Sequence, residues 1–323
     1  MLELKKIEDS YQRIKKYLKP TRLEESLNLS DEENKVYLKL ENEQALVKSF
    51  KIRGVLSKLT SLTDDEIENN EITTISSGNQ GVSLAYGAKL LGLKSPIIYA
   101  PKTTPKPKID KIKYFGAEMV QVGETFDEAN VKADEIIKEK GYIKVDARED
   151  EVGVVGQASI GIEILNQMPD IDAVIVPKGS GGMSIAIASY FKQKKPNVKV
   201  YAVEAANSPA LTENLKTGVW TRTYDVTSEG EALLQSLIGG CARLTFDNAY
   251  VLEDIFLVSD EEAKKAVVEI LKKEKMIVEP DSAVVYAAYK KHTNLFKGKK
   301  TALIISGANI DDDVFKNIIT EYY

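Results

Sequence analysis

The chain has 323 residues, 43% of them hydrophobic and 29% charged, which suits a globular protein of about two domains rather than a disordered one. Lys and Arg number 44 against 49 Asp and Glu, a formal charge of −5, so a general nucleic-acid binder, which would be basic, is not expected. A single cysteine, Cys241, and a single histidine, His292, exclude an internal disulfide, a thiolate metal cluster and a multi-histidine metal site. Any Ser-His or Cys-His nucleophile pair would have to be built on His292, which sits in the polar stretch Lys290-Lys291-His292-Thr293 and reads as a solvated surface residue.

The start, Met1-Leu2-Glu3-Leu4-Lys5-Lys6, lacks the apolar core of a signal peptide, and no run of about 18 apolar residues occurs, so a cytoplasmic protein with no membrane partner is expected. Further along, Ser49-Phe50-Lys51-Ile52-Arg53-Gly54 places one lysine between an aromatic residue and a helix start. From 72 to 146 strands and helices alternate. The β-branched run Ile72-Thr73-Thr74-Ile75 precedes an apolar helix from Val82 to Leu91, stopped by Gly92. Ile97-Ile98-Tyr99 is a strand before Pro101 and a lysine-rich helix to Tyr114; Met119-Val120-Gln121-Val122 is the next. Thr125-Phe126-Asp127-Glu128 has capping-box spacing for a helix ending near Gly141, and Tyr142-Ile143-Lys144-Val145 closes the series.

A second alternating series follows: a helix over 152–167, the strand Ala173-Val174-Ile175-Val176, a helix from Met183 to Lys192, and the strand Lys199-Val200-Tyr201-Ala202-Val203. Ser259-Asp260-Glu261-Glu262 caps a helix of roughly four turns, and Ala302-Leu303-Ile304-Ile305 is a buried strand leading into Ser306. Alternation of this kind predicts an α/β fold, two domains each with a twisted, mostly parallel sheet flanked by helices. The polar stretches at 61–65 and 146–151 mark crossings, so a large cofactor-binding domain of 1–66 with 147–323 and a small domain of 67–146 are expected.

Three loops follow strands. Pro177-Lys178-Gly179-Ser180-Gly181-Gly182-Met183 opens a helix; it is neither a Walker loop nor a G-x-G-x-x-G fingerprint, and by itself it suits a tight turn or an anion cradle equally. Ser76-Ser77-Gly78-Asn79-Gln80-Gly81 holds the same position, and ordinary helix capping explains it in isolation. Ser306-Gly307-Ala308-Asn309 is the third. In α/β sheets ligands bind beyond the carboxyl ends of strands, where these loops fall. Together with Lys51 they supply an amine that condenses with an aldehyde, two amide-rich anion loops and a hydroxyl, the set that pyridoxal 5'-phosphate requires.

In this order the segments resemble the serine racemase and serine/threonine dehydratase family of the tryptophan-synthase-β-like, fold type II pyridoxal-phosphate enzymes. The resemblance also takes in Lys39-Leu40-Glu41-Asn42-Glu43-Gln44 and Ile277-Val278-Glu279-Pro280. It implies that Lys51, after Phe50, carries the cofactor and acts as base on one face of the substrate. Asn79 would bond the cofactor's phenolic oxygen, Gly179, Ser180, Gly181, Gly182 and Met183 its phosphate, and Ser306 its ring nitrogen. Ser76, Ser77, Gly78, Asn79 and Gln80 would hold the substrate carboxylate. The implied reaction is loss of water from a small-molecule hydroxy amino acid, with hydrolysis of the resulting aminoacrylate or aminocrotonate to a 2-oxo acid and ammonia.

Several positions depart from the family pattern. One extra residue lies between Glu41 and Lys51, Val47-Lys48 stands where Thr-Gly is common, and Gln80 replaces a histidine. Ser180 and Ala308 stand where glycines are frequent. Metal-binding members carry an aspartate where this chain has Ala210, six residues after Glu204, so no metal is expected. Ser77 matches the racemases, in which this serine covers the second face of the α-carbon, and keeps an amino-acid racemase as the alternative. A non-catalytic small-molecule-binding protein is the alternative from another class. The family expectation for assembly is a homodimer.

Overall fold

The described residues form ten strands: β1 (Leu23–Glu25), β2 (Lys35–Leu40), β3 (Ile72–Ile75), β4 (Ile97–Ala100), β5 (Glu118–Gln121), β6 (Ile143–Lys144), β7 (Ala173–Pro177), β8 (Lys199–Ala205), β9 (Asp254–Val258) and β10 (Lys300–Ile305). The structure is a computed structural model describing residues 1–323 except Ala45, 223–233, 235, 236, 238 and 239. The chain divides into two units. The larger comprises Met1–Glu8, Pro20–Phe50 and Gln157–Tyr323; the smaller comprises Asp9–Lys19 and Lys51–Gly156.

The larger unit is built on a six-stranded sheet in the order β1-β2-β10-β7-β8-β9, parallel except for β1 against β2. Parallel strands covered on both faces read as continuous apolar runs, and every residue of β7 is buried. Leu38, Ile175, Val203 and Ile305 of this sheet share a core with Val267 and Val284 of the helices Asp260–Lys273 and Pro280–Lys291. Lys39 breaks the apolar pattern of β2; it is wholly buried, and its ammonium is satisfied by Glu163 at 2.6 Å and the Thr21 carbonyl at 2.8 Å.

The smaller unit is built on the parallel order β5-β4-β3-β6, and all four strands lie within 67–146. Ile75 and Tyr99 pack on Ala133 and Ile137 of the helix Phe126–Lys140. That helix is capped at its start by Thr125, whose hydroxyl accepts the Glu128 N–H, and ends on Gly141 in the left-handed region. The reciprocal half of the expected capping box is redirected, since the Glu128 carboxylate accepts the Glu124 N–H at 2.9 Å.

Other elements depart from expectation. The helix over 152–167 is two helices, Glu151–Gln157 and Ser159–Gln167, and the division between the units falls beside the break, after Gly156. His292 is half-buried and stacks on Phe256 with ring centroids 4.2 Å apart, which makes it a packing residue. The strands β1, β2 and β9 and the first helix, Leu4–Ile14, are additional to those read from the sequence.

Candidate functional site

In the smaller unit, Lys51 is the first residue of the helix Lys51–Leu59, which packs against the helix Asn79–Leu90. Between β3 and that second helix lie Ser76, Ser77 and Gly78. The Ser76 N–H donates to the Tyr99 carbonyl at 3.0 Å, continuing the sheet, and the Ser76 hydroxyl accepts the Gly78 N–H at 3.1 Å. Ser77 and Asn79 are half-buried and Gly78 is exposed. A Cβ at Gly81 would lie 2.2 Å from the Ser76 carbonyl oxygen, so only glycine lets the loop fold back over the first helical turn. Gly78, at the N-cap, supplies no side-chain bond, which leaves first-turn N–H groups facing the loop. The Gln80 side chain is buried and donates to the Val145 carbonyl at 3.3 Å; what it offers a ligand is its backbone N–H.

In the larger unit, the turn Gly179–Gly182 joins β7 to the helix Gly182–Lys194. Gly181 has φ +98° and no side-chain cap bond, so the helix start is open to an anion. Met183 is buried behind it. The turn is fixed from the back by the helix Arg243–Asn248. The Thr245 hydroxyl donates to the Ser180 carbonyl at 2.8 Å and the Ala242 N–H reaches the same oxygen at 3.2 Å. A Cβ on Gly181 would collide with Thr245, 2.2 Å from its Cγ2.

At the end of β10, Ser306 is buried with its Oγ 2.8 Å from the Ser282 Oγ. Ser282 accepts the Gly307 N–H at 2.7 Å and donates to the Gly307 carbonyl at 2.9 Å. When Ser282 gives its one proton to that carbonyl, Ser306 donates to Ser282; when Ser282 turns to Ser306, the Ser306 proton is free for an acceptor such as a ring nitrogen. The segment before the lysine runs alongside this loop. Ser49 bridges Gly307, the Phe50 N–H donates to the Ser306 carbonyl at 3.0 Å, the Ala308 N–H donates to the Lys48 carbonyl at 3.0 Å, and the Asn309 amide holds the Val47 carbonyl at 2.8 Å. Lys51 is covalently the next residue after Phe50. The altered stretch before it carries left-handed backbone at Leu46, φ +63°, and Lys48, φ +55°.

Each unit thus gathers its own share of the expected residues. The smaller holds Lys51 with Ser76, Ser77, Gly78, Asn79 and Gln80; the larger holds Phe50 beside Ser306, and Gly179 through Met183. Thr245 and Ser282 escape sequence reasoning, because a lone threonine in a six-residue helix and a serine inside a buried helix carry no local signal. Among the described residues no group of three or more His, Cys, Asp or Glu is arranged to hold a metal ion.

A profile described as pyridoxal-phosphate dependent enzyme matches residues 14–307. L-threonine ammonia-lyase of Thermotoga maritima is 32% identical over 99% of this chain and 79% of its own length. Among solved structures, the processed form of threonine deaminase isoform 2 from Solanum lycopersicum superposes with a TM-score of 0.90 at 27% identity, covering 98% of this chain and 92% of the other. Serine racemase from Dictyostelium discoideum gives 0.85 at 26% identity over 96% of this chain and 99% of its own.

Proposed function

From a chain that belongs to the pyridoxal-phosphate dependent enzyme family, of fold type II, we propose a serine/threonine-type ammonia-lyase that converts a β-hydroxy amino acid to a 2-oxo acid and ammonia. The observation that carries this reading is the stitch of the Phe50 N–H to the Ser306 carbonyl, which ties the backbone just before Lys51 to the residue whose hydroxyl suits a ring nitrogen.

The residues fit the cofactor. An uncapped helix start behind a glycine with φ +98° suits a phosphate dianion, because its N–H groups have no intrahelical acceptor and the helix dipole favours negative charge. Gly179, Ser180, Gly181, Gly182 and Met183 would hold the phosphate, Ser306 the ring nitrogen, Asn79 the phenolic oxygen and Lys51 the aldehyde carbon. When bound, the group supplies an electron sink that acidifies the substrate's α-proton.

Ser76, Ser77, Gly78, Asn79 and Gln80 would orient the substrate carboxylate through hydroxyls and first-turn N–H groups. Lys51 Nζ takes the α-proton, and loss of the β-hydroxyl as water leaves an enamine whose hydrolysis yields the 2-oxo acid and ammonia. Ser306 is neutral, so it need not keep the ring nitrogen protonated, and a moderate sink suits elimination. A homodimer, a cytoplasmic location and the division of 1–66 with 147–323 from 67–146 belong to the same reading.

A second activity, racemization, is favoured by Ser77, a hydroxyl one residue before Gly78 that would serve the opposite face of the α-carbon. A panel of L- and D-hydroxy amino acids scored for 2-oxo acid release and for inversion separates the two activities. Lys51→Ala should abolish both, together with the cofactor that borohydride otherwise fixes to this lysine. Full activity in that variant would refute the assignment.

A further inference from the structure

Lys178 and Glu204 form an ion pair at 2.8 Å in which neither side chain has any exposed surface, and no step of the proposed reaction uses it. Lys178 stands between the last residue of β7 and Gly179, and its N–H extends the sheet by donating to the Val203 carbonyl at 2.7 Å. Its ammonium also lies 3.5 Å from the Gly240 carbonyl. The Glu204 carboxylate is otherwise saturated by the start of the helix Ala210–Thr217: Oε1 accepts the Leu211 N–H at 2.9 Å, and Oε2 accepts the Thr212 N–H at 2.9 Å and its hydroxyl at 2.7 Å. A buried positive charge between a carboxylate and a carbonyl has the surroundings of a small bound cation.

These contacts close a ring. From Gly240 the chain passes through Cys241 to Ala242 and Thr245, which both donate to the Ser180 carbonyl. Residues 178–180 and 240–245 are therefore linked at both ends, by the Lys178 ammonium and by the Ser180 oxygen, directly behind the Gly181–Gly182 turn. Loss of the amine alone would leave a buried carboxylate without its counter-charge, which is far costlier than loss of both partners.

We propose that Lys178 is a tethered internal cation that holds this ring closed, so that cofactor binding does not depend on dissolved cations, a proposal that rests on residues 179–183 being the phosphate loop. Apo-protein melting and the dissociation constant for pyridoxal phosphate are measured in choline, potassium, ammonium, methylammonium and magnesium chlorides. The wild type should be indifferent to the salt and to a chelator. Lys178→Ala in choline should melt lower and bind the cofactor at least tenfold more weakly; in ammonium or methylammonium its dissociation constant should fall at least threefold and its melting temperature should rise toward that of the wild type. Lys178→Met/Glu204→Gln, which removes both charges, should fold, respond to no cation, and bind the cofactor at least threefold more weakly because the link to Gly240 is gone.

Wild-type behaviour of Lys178→Ala in choline, losses that no cation reverses, or wild-type affinity in the double variant would overturn the proposal. If Lys178→Ala does not fold in any salt, the double variant decides alone on the same criteria. Ammonium rescue of melting with a cofactor affinity that never moves would overturn it through its premise, showing that the phosphate binds elsewhere.

Discussion

Gly181→Ala tests the proposed phosphate loop most directly. The new methyl would sit 2.2 Å from Thr245 Cγ2, 2.6 Å from its Oγ1 and 2.9 Å from its Cβ, at a residue with φ +98°. Holding a non-glycine residue in such a conformation costs about 1–3 kcal/mol, and overpacking costs about 1–3 kcal/mol more. The loop can relieve that strain only by moving away from Thr245. A displacement worth about 1.4 kcal/mol is tenfold in an equilibrium constant, so the dissociation constant for pyridoxal phosphate should rise at least tenfold, read by absorbance titration of the apo-protein. Equilibrium unfolding should show a loss of about 2 kcal/mol, since part of the strain is relieved by movement. Adding Thr245→Ala removes the two closest contacts but gives up the hydrogen bond to Ser180, a net of about 1 kcal/mol. The double variant should therefore bind the cofactor more tightly than Gly181→Ala and more weakly than wild type. A dissociation constant within twofold of wild type in Gly181→Ala, or a double variant no better than the single, would refute the reasoning.

Ser77→Ala should largely preserve 2-oxo acid formation from an L-substrate while suppressing any L-to-D conversion; loss of L-elimination by orders of magnitude with cofactor bound would instead mean that Ser77 holds the carboxylate. Lys48→Gly removes a left-handed lysine at φ +55°, a gain of about 1–2 kcal/mol offset by about 0.4–1 kcal/mol of extra freedom in the unfolded chain. Urea unfolding should show a net stabilisation of up to about 1.6 kcal/mol, and a destabilised variant would contradict the backbone argument. Burial pushes the Asp146 carboxyl up, but Lys144 at 3.3 Å and the Arg148 N–H at 2.7 Å outweigh it and hold it below the usual carboxylate range. A depressed folded value means stability that is present above the unfolded carboxylate value of about 3.9 and lost as pH falls through the folded one. Asp146→Asn should thus cost stability at pH 7 and progressively less on acidification; a gap that widens toward pH 3 would be the opposite sign.

The central strands were legible because burial on both faces writes itself as unbroken apolar runs: Ala173 to Val176 and Ala302 to Ile305 are recognisable from composition alone. Edge and short strands were not. β1 is three residues, two of them glutamate, and takes its conformation from hydrogen bonds to β2. The glycine turn was visible, yet what shapes it was hidden, because Thr245 meets Gly181 from 64 positions away in sequence. Lys39 and Lys178 read as ordinary lysines; only their partners, Glu163 and Glu204, explain why they lie inside. The break at Ala158 was equally silent, since the apolar periodicity continues across it.

In the larger sheet β10 lies between β2 and β7, so the last strand in sequence fills the place beside one of the first. A ribosome must release residues 41–299 between β2 and β10 before that gap can close. Until then Ser306 and Gly307 are absent, and the backbone bonds that they make to Phe50 and Ser49 cannot form. A nascent chain therefore carries Lys51 behind a segment that gains these bonds only after residues 306–308 have emerged. Termination between residues 51 and 299 yields a chain that keeps Lys51 but lacks both β10 and the 306–308 backbone that bonds to residues 48–50.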